Sequence, residues 1–167
     1  ADRFIAAEGS NSLQQGKVVF EATATEEFLN AEETVRARCT GWTLCDISGT
    51  VLRTSEDQGE SPFACEYDYS AGAGAILTWQ WIREFKVTAS ASGNGSVDVT
   101  EQWVAEGGSI TLTATAEEGN AFVRWTGNVD DSQILQNPLT VDPVAEPLAL
   151  TALFKELGAP ATWNGSA

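Results

Sequence analysis

The chain has 167 residues, enough for one ordinary domain or two small ones. Hydrophobic residues make up 43%, which excludes disorder on composition, and 24 Asp and Glu against 9 Lys and Arg leave a net charge of −15. That charge repels nucleic acid and anionic membrane, and the absence of His removes the commonest general base and the commonest metal ligand.

In chain order, the period-2 runs rich in Val, Thr, Ile and aromatic residues predict strands over 3–7, 16–24, 35–43, 49–54, 63–69 and 75–82. Further strands are expected over 85–91, 96–99, 109–116, 121–126, 138–142 and 148–155. Helix signals are weak, with a single turn expected over Glu26–Val35 and another over Asp131–Leu135. Gly93-Asn94-Gly95 lies between two strand-like runs and reads as a hairpin turn, because Gly and Asn tolerate positive φ. The last ten residues, 158–167, are linker-like apart from Trp163. No run approaches the ~20 apolar residues of a membrane-spanning helix. Ala1–Ile5 lacks the apolar region of a signal peptide, and the missing Met is expected of a processed or internal piece of a longer protein.

The sequence repeats itself. Gly16–Ala24 (GKVVFEATA) aligns with Gly108–Ala116 (GSITLTATA) at an offset of 92. Gly41-Trp42-Thr43 then aligns with Arg124-Trp125-Thr126 at 83, and Leu77–Trp81 with Leu150–Phe154 at 73. Order is kept while the offset falls, so the first copy carries extra residues on both sides of Trp42. The resulting division is 1–84 for a first, longer module with all three cysteines, 85–157 for a second, and 158–167 for the tail. Trp81-Ile82-Arg83-Glu84-Phe85 joins the copies with almost no linker, which suggests a rod-like arrangement of tandem modules.

The second copy runs through Phe85–Ala89, Gly93–Val97, Glu106–Ala116, Phe122–Gly127 (FVRWTG), Asn137–Val141 and Leu150–Phe154. In this order and spacing it resembles the bacterial surface repeat known as the divergent internalin-type B-repeat. The first copy resembles a longer variant, with Arg38–Thr43 and Ile76–Trp81 as its signature and Leu44 where a Gly is expected. The resemblance implies a mainly β, β-grasp-like module in extracellular tandem arrays, used as spacer, stalk or adhesive segment, with no catalytic residues to transfer.

Three groups of residues invite a functional reading. Cys39, Cys45 and Cys65 are an odd set. Cys39 precedes Trp42 by three, as Phe122 precedes Trp125, so it reads as a small buried hydrophobe. Cys45 and Cys65 flank the extra loop and are the favoured disulfide, closing a loop of roughly 20 residues for about 3 kcal/mol. Cys39–Cys45 pairing and free thiols are the alternatives. Trp42 and Trp125 recur at matching positions and read as core. Trp81 matches Phe154 and reads as core too, which leaves Trp79 and Trp103 as the possible ligand contacts. Asn128, Asp130, Asp131 and Ser132 offer oxygen ligands for calcium, but no EF-hand spacing is present and solvated turn residues are the simpler reading. No Gly-x-Ser-x-Gly elbow and no phosphate loop occurs.

The expected function is therefore a non-catalytic structural or adhesive repeat, extracellular or on a bacterial cell surface, with no cofactor. Its expected partners are neighbouring repeats of the same chain and a glycan or surface protein. A carbohydrate- or protein-binding module is the second reading. A self-assembling subunit completed by strand addition is the third, motivated by the short stretch ahead of Gly16.

Overall fold

The computed structural model describes residues 17–22, 24–56, 62–68 and 74–158. Among them the chain is mainly β, with thirteen strands and no helix. It divides into two compact units, with the boundary between Arg83 and Glu84. The strand expected at 3–7 and the tail beyond Gly158, including Trp163, lie outside the described residues.

Unit 1 contains β1 (Lys17–Glu21), β2 (Glu26–Phe28), β3 (Val35–Asp46), β4 (Val51–Thr54), β5 (Ala64–Asp68) and the first part of β6 (Ala75–Ser92). β2 and β4 both pair antiparallel with β3, which lies beside β6, while β1 pairs antiparallel with β5. Along β3 the buried positions run Ala37, Cys39, then Trp42 and Leu44. The alternation slips by one residue at Gly41-Trp42, so that all four side chains are buried. Ser55 holds the slip in place. Its Oγ accepts the Trp42 N–H at 3.1 Å and its own N–H donates to the Trp42 carbonyl at 3.0 Å. A Cβ on Gly41 would collide with that hydroxyl, which is why a glycine precedes the tryptophan.

The turn of helix expected over Glu26–Val35 is not formed. Glu26–Phe28 pairs with Arg36–Arg38, and the chain reverses between them. Asn30 drives the reversal, because its Oδ1 accepts the N–H groups of Thr34 and Val35, both at 3.0 Å, and its Nδ2 donates to Thr34 Oγ1. An Asn side chain that satisfies the backbone locally competes directly with a helix.

Unit 2 contains the rest of β6, then β7 (Gly95–Val97), β8 (Glu101–Ala105), β9 (Ile110–Leu112), β10 (Ala114–Ala116), β11 (Asn120–Gly127), β12 (Leu139–Val141) and β13 (Leu148–Glu156). β13 is flanked by β11, antiparallel, and by β6, parallel, with Leu148 opposite Val87 and Leu153 opposite Ser92. β6 also pairs antiparallel with β8. β12 pairs with β9, and β7 with β10. Phe85, Val87, Ala89, Val104, Ile110, Leu112, Ala114, Trp125, Leu139, Val144, Leu148, Leu150, Ala152 and Phe154 form its buried core. The alternation of β13, inward at Leu148, Leu150, Ala152 and Phe154, is the period-2 pattern of a half-buried strand.

Three expectations change here. The strands at 75–82 and 85–91 are one strand, since nothing between them breaks an extended chain. Gly93-Asn94-Gly95 turns the chain, but β7 then pairs with β10 rather than folding back on β6. The glycines serve close packing: a Cβ on Gly93 would lie 2.6 Å from the Phe154 carbonyl oxygen, and one on Gly95 would lie 2.6 Å from the Phe154 ring. The second helical turn, Asp131–Leu135, consists of hydrogen-bonded turns in which Gln133 N–H donates to Asp130 O and Gln136 N–H to Gln133 O. Replacing Gly95 by Val should therefore destabilise unit 2 by about 1–3 kcal/mol, the usual cost of overpacking. Denaturant unfolding followed by Trp fluorescence measures it, and an unchanged midpoint would contradict the packing.

Candidate functional site

The expected Cys45–Cys65 bridge is not formed in the structure, and neither is the alternative Cys39–Cys45. Strand alternation explains the separation. Cys65 is fully buried in a cluster with Trp42 and Leu44. Cys45 follows Leu44 on β3 and so projects from the opposite face, and it is only half-buried. Cys39 is buried as a small hydrophobe, its thiol 3.7 Å from the Gly41 carbonyl.

The tryptophans divide in the same way. Trp42 and Trp125 are fully buried. The Trp125 Nε1–H donates to the Gln136 carbonyl at 2.9 Å, which supplies the partner a buried indole requires. The Arg53 guanidinium lies 5.6 Å from the centre of the Trp42 ring. Trp79 leans against the Trp42–Leu44–Cys65 cluster, and Trp81 is half-buried. Trp103 lies on β8, a strand absent from the expected set. Lys86 stands opposite it on β6, with the ammonium 5.3 Å from its ring centre and 3.6 Å from the Glu101 carboxylate. One face of Trp103 is thus occupied by a cation.

The acidic loop is used by the backbone. Asp130 Oδ1 accepts the Ser132 hydroxyl at 2.6 Å and the Ser132 N–H at 2.8 Å, and these bonds hold its carboxyl below the usual range. Asn128 Oδ1 accepts the Ala149 N–H at 3.2 Å, tying the loop to β13, while Asp131 is exposed. Among the described residues no three His, Cys, Asp or Glu side chains are grouped as a metal would need. Asp46 builds the same turn in unit 1, accepting from the Ser48 hydroxyl and from the Thr50 and Ser48 N–H groups, and its carboxyl is likewise lowered. Asp98 is lowered chiefly by the Thr113 N–H, which donates to its Oδ1 at 2.8 Å.

A groove of about 230 Å³ opens beside the tip of β11, lined by Arg124, Trp125, Thr126, Gly127, Val129, Asp131 and Ile134. It arises because the 131–135 turn is held against the strand edge by the Trp125 N–H, which donates to the Ile134 carbonyl at 2.8 Å. Gly127, at φ 99°, lets the chain turn off β11 against the Ala149 carbonyl, with which any Cβ would clash. The groove offers one guanidinium, one carboxylate and the Thr126 hydroxyl, which donates to the Thr151 carbonyl at 3.3 Å. It was not legible in the sequence, where Trp125-Thr126-Gly127 reads only as the end of a strand.

Residues 85–158 match the family model of the divergent InlB B-repeat domain. The matched residues run from the first strand of unit 2 to just beyond the end of β13, and a single copy is detected. The repeat is one of bacterial surface proteins, and the resemblance seen in the sequence is thereby met for unit 2. Comparison with curated proteins and with solved structures gives no match.

Two outcomes follow. Trp125→Ala should cost about 3–5 kcal/mol, as for other buried aromatics, and Trp103→Ala clearly less; equal losses in denaturant unfolding would contradict the burial. The second concerns pH. The lowered carboxyls of Asp98 and Asp130 favour the folded state above the ordinary carboxylate range near pH ~4. That contribution disappears as the pH falls through their lower folded-state values, because the unfolded chain then binds more protons. Asp98→Asn keeps an acceptor but cannot titrate. It should flatten the fall in melting temperature between neutral and acid solution, and an unaltered slope would count against the assignment.

Proposed function

We propose that the chain is two tandem copies of the divergent B-repeat acting as a non-catalytic structural or adhesive segment of an extracellular bacterial surface protein. The observation that carries this reading is the agreement of strand registers between the units. In unit 2, β12 lies on β9 with Leu139 opposite Leu112 and Val141 opposite Ile110. In unit 1, β5 lies on β1 with Cys65 opposite Phe20 and Tyr67 opposite Val18. Val18 and Phe20 are the residues that the sequence repeat aligns with Ile110 and Leu112. Both units then bury one tryptophan completely on a strand beside the closing strand, Trp42 on β3 and Trp125 on β11. Each of these tryptophans bonds through its N–H to the segment that follows its strand, at Ser55 and at Ile134. The extra residues of copy one fall on both sides of Trp42, where β2 precedes and β4 follows β3 and each pairs with it.

Binding of a glycan is the second reading, favoured by the groove at Arg124 and Asp131. The two expected aromatic platforms do not strengthen it, because Trp79 leans on the core and Trp103 carries Lys86. As a spacer or stalk the chain needs only folded modules and an acidic, repulsive surface, and both are present.

The repeat reading is tested by a double-mutant cycle at one pair. Phe20→Leu and Cys65→Leu should each destabilise, the first by leaving a cavity and the second by overpacking. Together they recreate the Leu112–Leu139 pair, so the double variant should lose less than the sum, with a coupling of about 0.5–3 kcal/mol. Strict additivity would sink the equivalence. For function, the full chain on a glycan array should give no saturable binding. Binding that Arg124→Ala abolishes would replace the structural reading with the glycan one.

A further inference from the structure

We propose that unit 2 is a load-bearing clamp: tension on the chain passes directly between β6 and β13, whose parallel pairing must shear as a whole before the rest of the unit unfolds. This role rests on the reading of the chain as a structural segment. The chain enters unit 2 on β6 at Glu84 and leaves it on β13, which ends at Glu156. The two strands are direct neighbours, paired in parallel from Val87 opposite Leu148 to Ser92 opposite Leu153.

Parallel pairing decides how such a contact responds to force. Tension draws β6 back toward Glu84 and β13 forward toward Glu156. The two pulls are opposed along the strands, so they act across every hydrogen bond of the contact at once. No rung opens before its neighbours. An antiparallel pair loaded at adjacent ends behaves otherwise, because the pull falls on the last rung alone and the pair unzips. The strands from β7 to β12 lie between β6 and β13 in sequence. They stay outside the path of the load while the contact holds, so the three-residue strands β7, β9, β10 and β12 carry none of it.

The contact is reinforced in that direction. β13 has β11 on its other side, and β6 has β8, so both strands are flanked there. The Ala89 N–H continues the β8 side, donating to the Thr100 carbonyl at 2.9 Å. Backbone groups alternate in direction along a strand, so those of Thr88, Ser90 and Ser92 face β13. Two of these residues add side-chain bonds across the contact. Thr88 Oγ1 donates to the Leu148 carbonyl at 3.3 Å and Ser90 Oγ to the Leu150 carbonyl at 3.5 Å, and Ser90 Oγ lies 3.0 Å from Thr151 Oγ1. On the inner face Val87, Ala89, Leu148, Leu150 and Ala152 are buried, which keeps competing water from that side of the bonds.

The test pulls the full chain from two points that load opposite ends of the β6 part of this contact. One handle is at the C-terminus in both cases. The other is an azide-bearing residue in place of Thr78 or of Asn94, both of them exposed. Thr78 precedes the contact on β6, so pulling from it shears β6 against β13. Asn94 follows the contact, at the end where β13 also leaves it, so pulling from it peels the strands apart from the Ser92–Leu153 rung. An unchanged melting temperature shows that each tagged chain is folded, and Ser92, also exposed, replaces Asn94 if it is not. Forced unfolding follows the unfolding rate rather than the equilibrium stability. At one pulling speed unit 2 should therefore rupture from Thr78 at a severalfold higher force than from Asn94. Equal forces, or a higher force from Asn94, overturn the proposal. So does release from Thr78 in several small steps, which would mean that other strands yield before the clamp. The glycan array separates the two levels of failure. Equal forces with a blank array remove the clamp alone, whereas saturable glycan binding removes the structural reading and the load-bearing role with it.

Discussion

An indole with no surface left to water must have its N–H satisfied and its ring enclosed, and in unit 2 the surrounding elements are disposed to do both. Trp125 donates its ring N–H to Gln136 and its backbone N–H to Ile134, so the loop after β11 is bound to the tryptophan twice over. That loop then delivers β12 onto β9, and Asn137 at its end bonds both backbone groups of Ala114, extending the pairing by one rung. Phe122 closes the remaining side, its ring 5.8 Å from Trp125 and 6.1 Å from Phe154. In unit 1 Trp42 is likewise fully buried, with its backbone N–H on Ser55 Oγ and the Arg53 guanidinium against its ring. Burial of one large side chain thus goes with the slip in alternation at Gly41-Trp42 and with the approach of the segment that bonds to the tryptophan.

This economy suits a surface repeat. A module of about 75–85 residues has room for one modest core. Unit 2 supports it with short strands whose loops are closed by side chains: Asp98 on Thr113, Asn128 on Ala149, Asp130 on Ser132. Asp46, Asp98 and Asp130 are each engaged by local hydrogen bonds in turns of this kind. These bonds favour the ionised form of each carboxyl and hold it below its usual range.

Much of this was legible in the sequence. The recurrence of Trp42 at Trp125 identified both buried indoles, and period-2 alternation located most strands to within a few residues. What escaped was decided by partners distant in sequence. β8 was missed because Glu101-Gln102 reads as polar loop until Lys86 and Val87 stand opposite it. β2 was hidden by the acidic run that reads equally as a helical turn, and Asn30 decided between them. Cys45 and Cys65 were paired because they flank one loop. Spacing along the chain carries no information about which face of β3 Cys45 takes, and the slip at Gly41 sets that.

The most direct measurement of the central claim is the strand register of unit 1 in solution, read from cross-strand Hα–Hα nuclear Overhauser contacts. The account requires contacts that place Phe20 opposite Cys65 and Val18 opposite Tyr67, matching Leu112 with Leu139 and Ile110 with Val141. A register in unit 1 displaced by even one residue would turn the aligned positions to opposite faces. It would contradict the claim that the two units are built on one scheme.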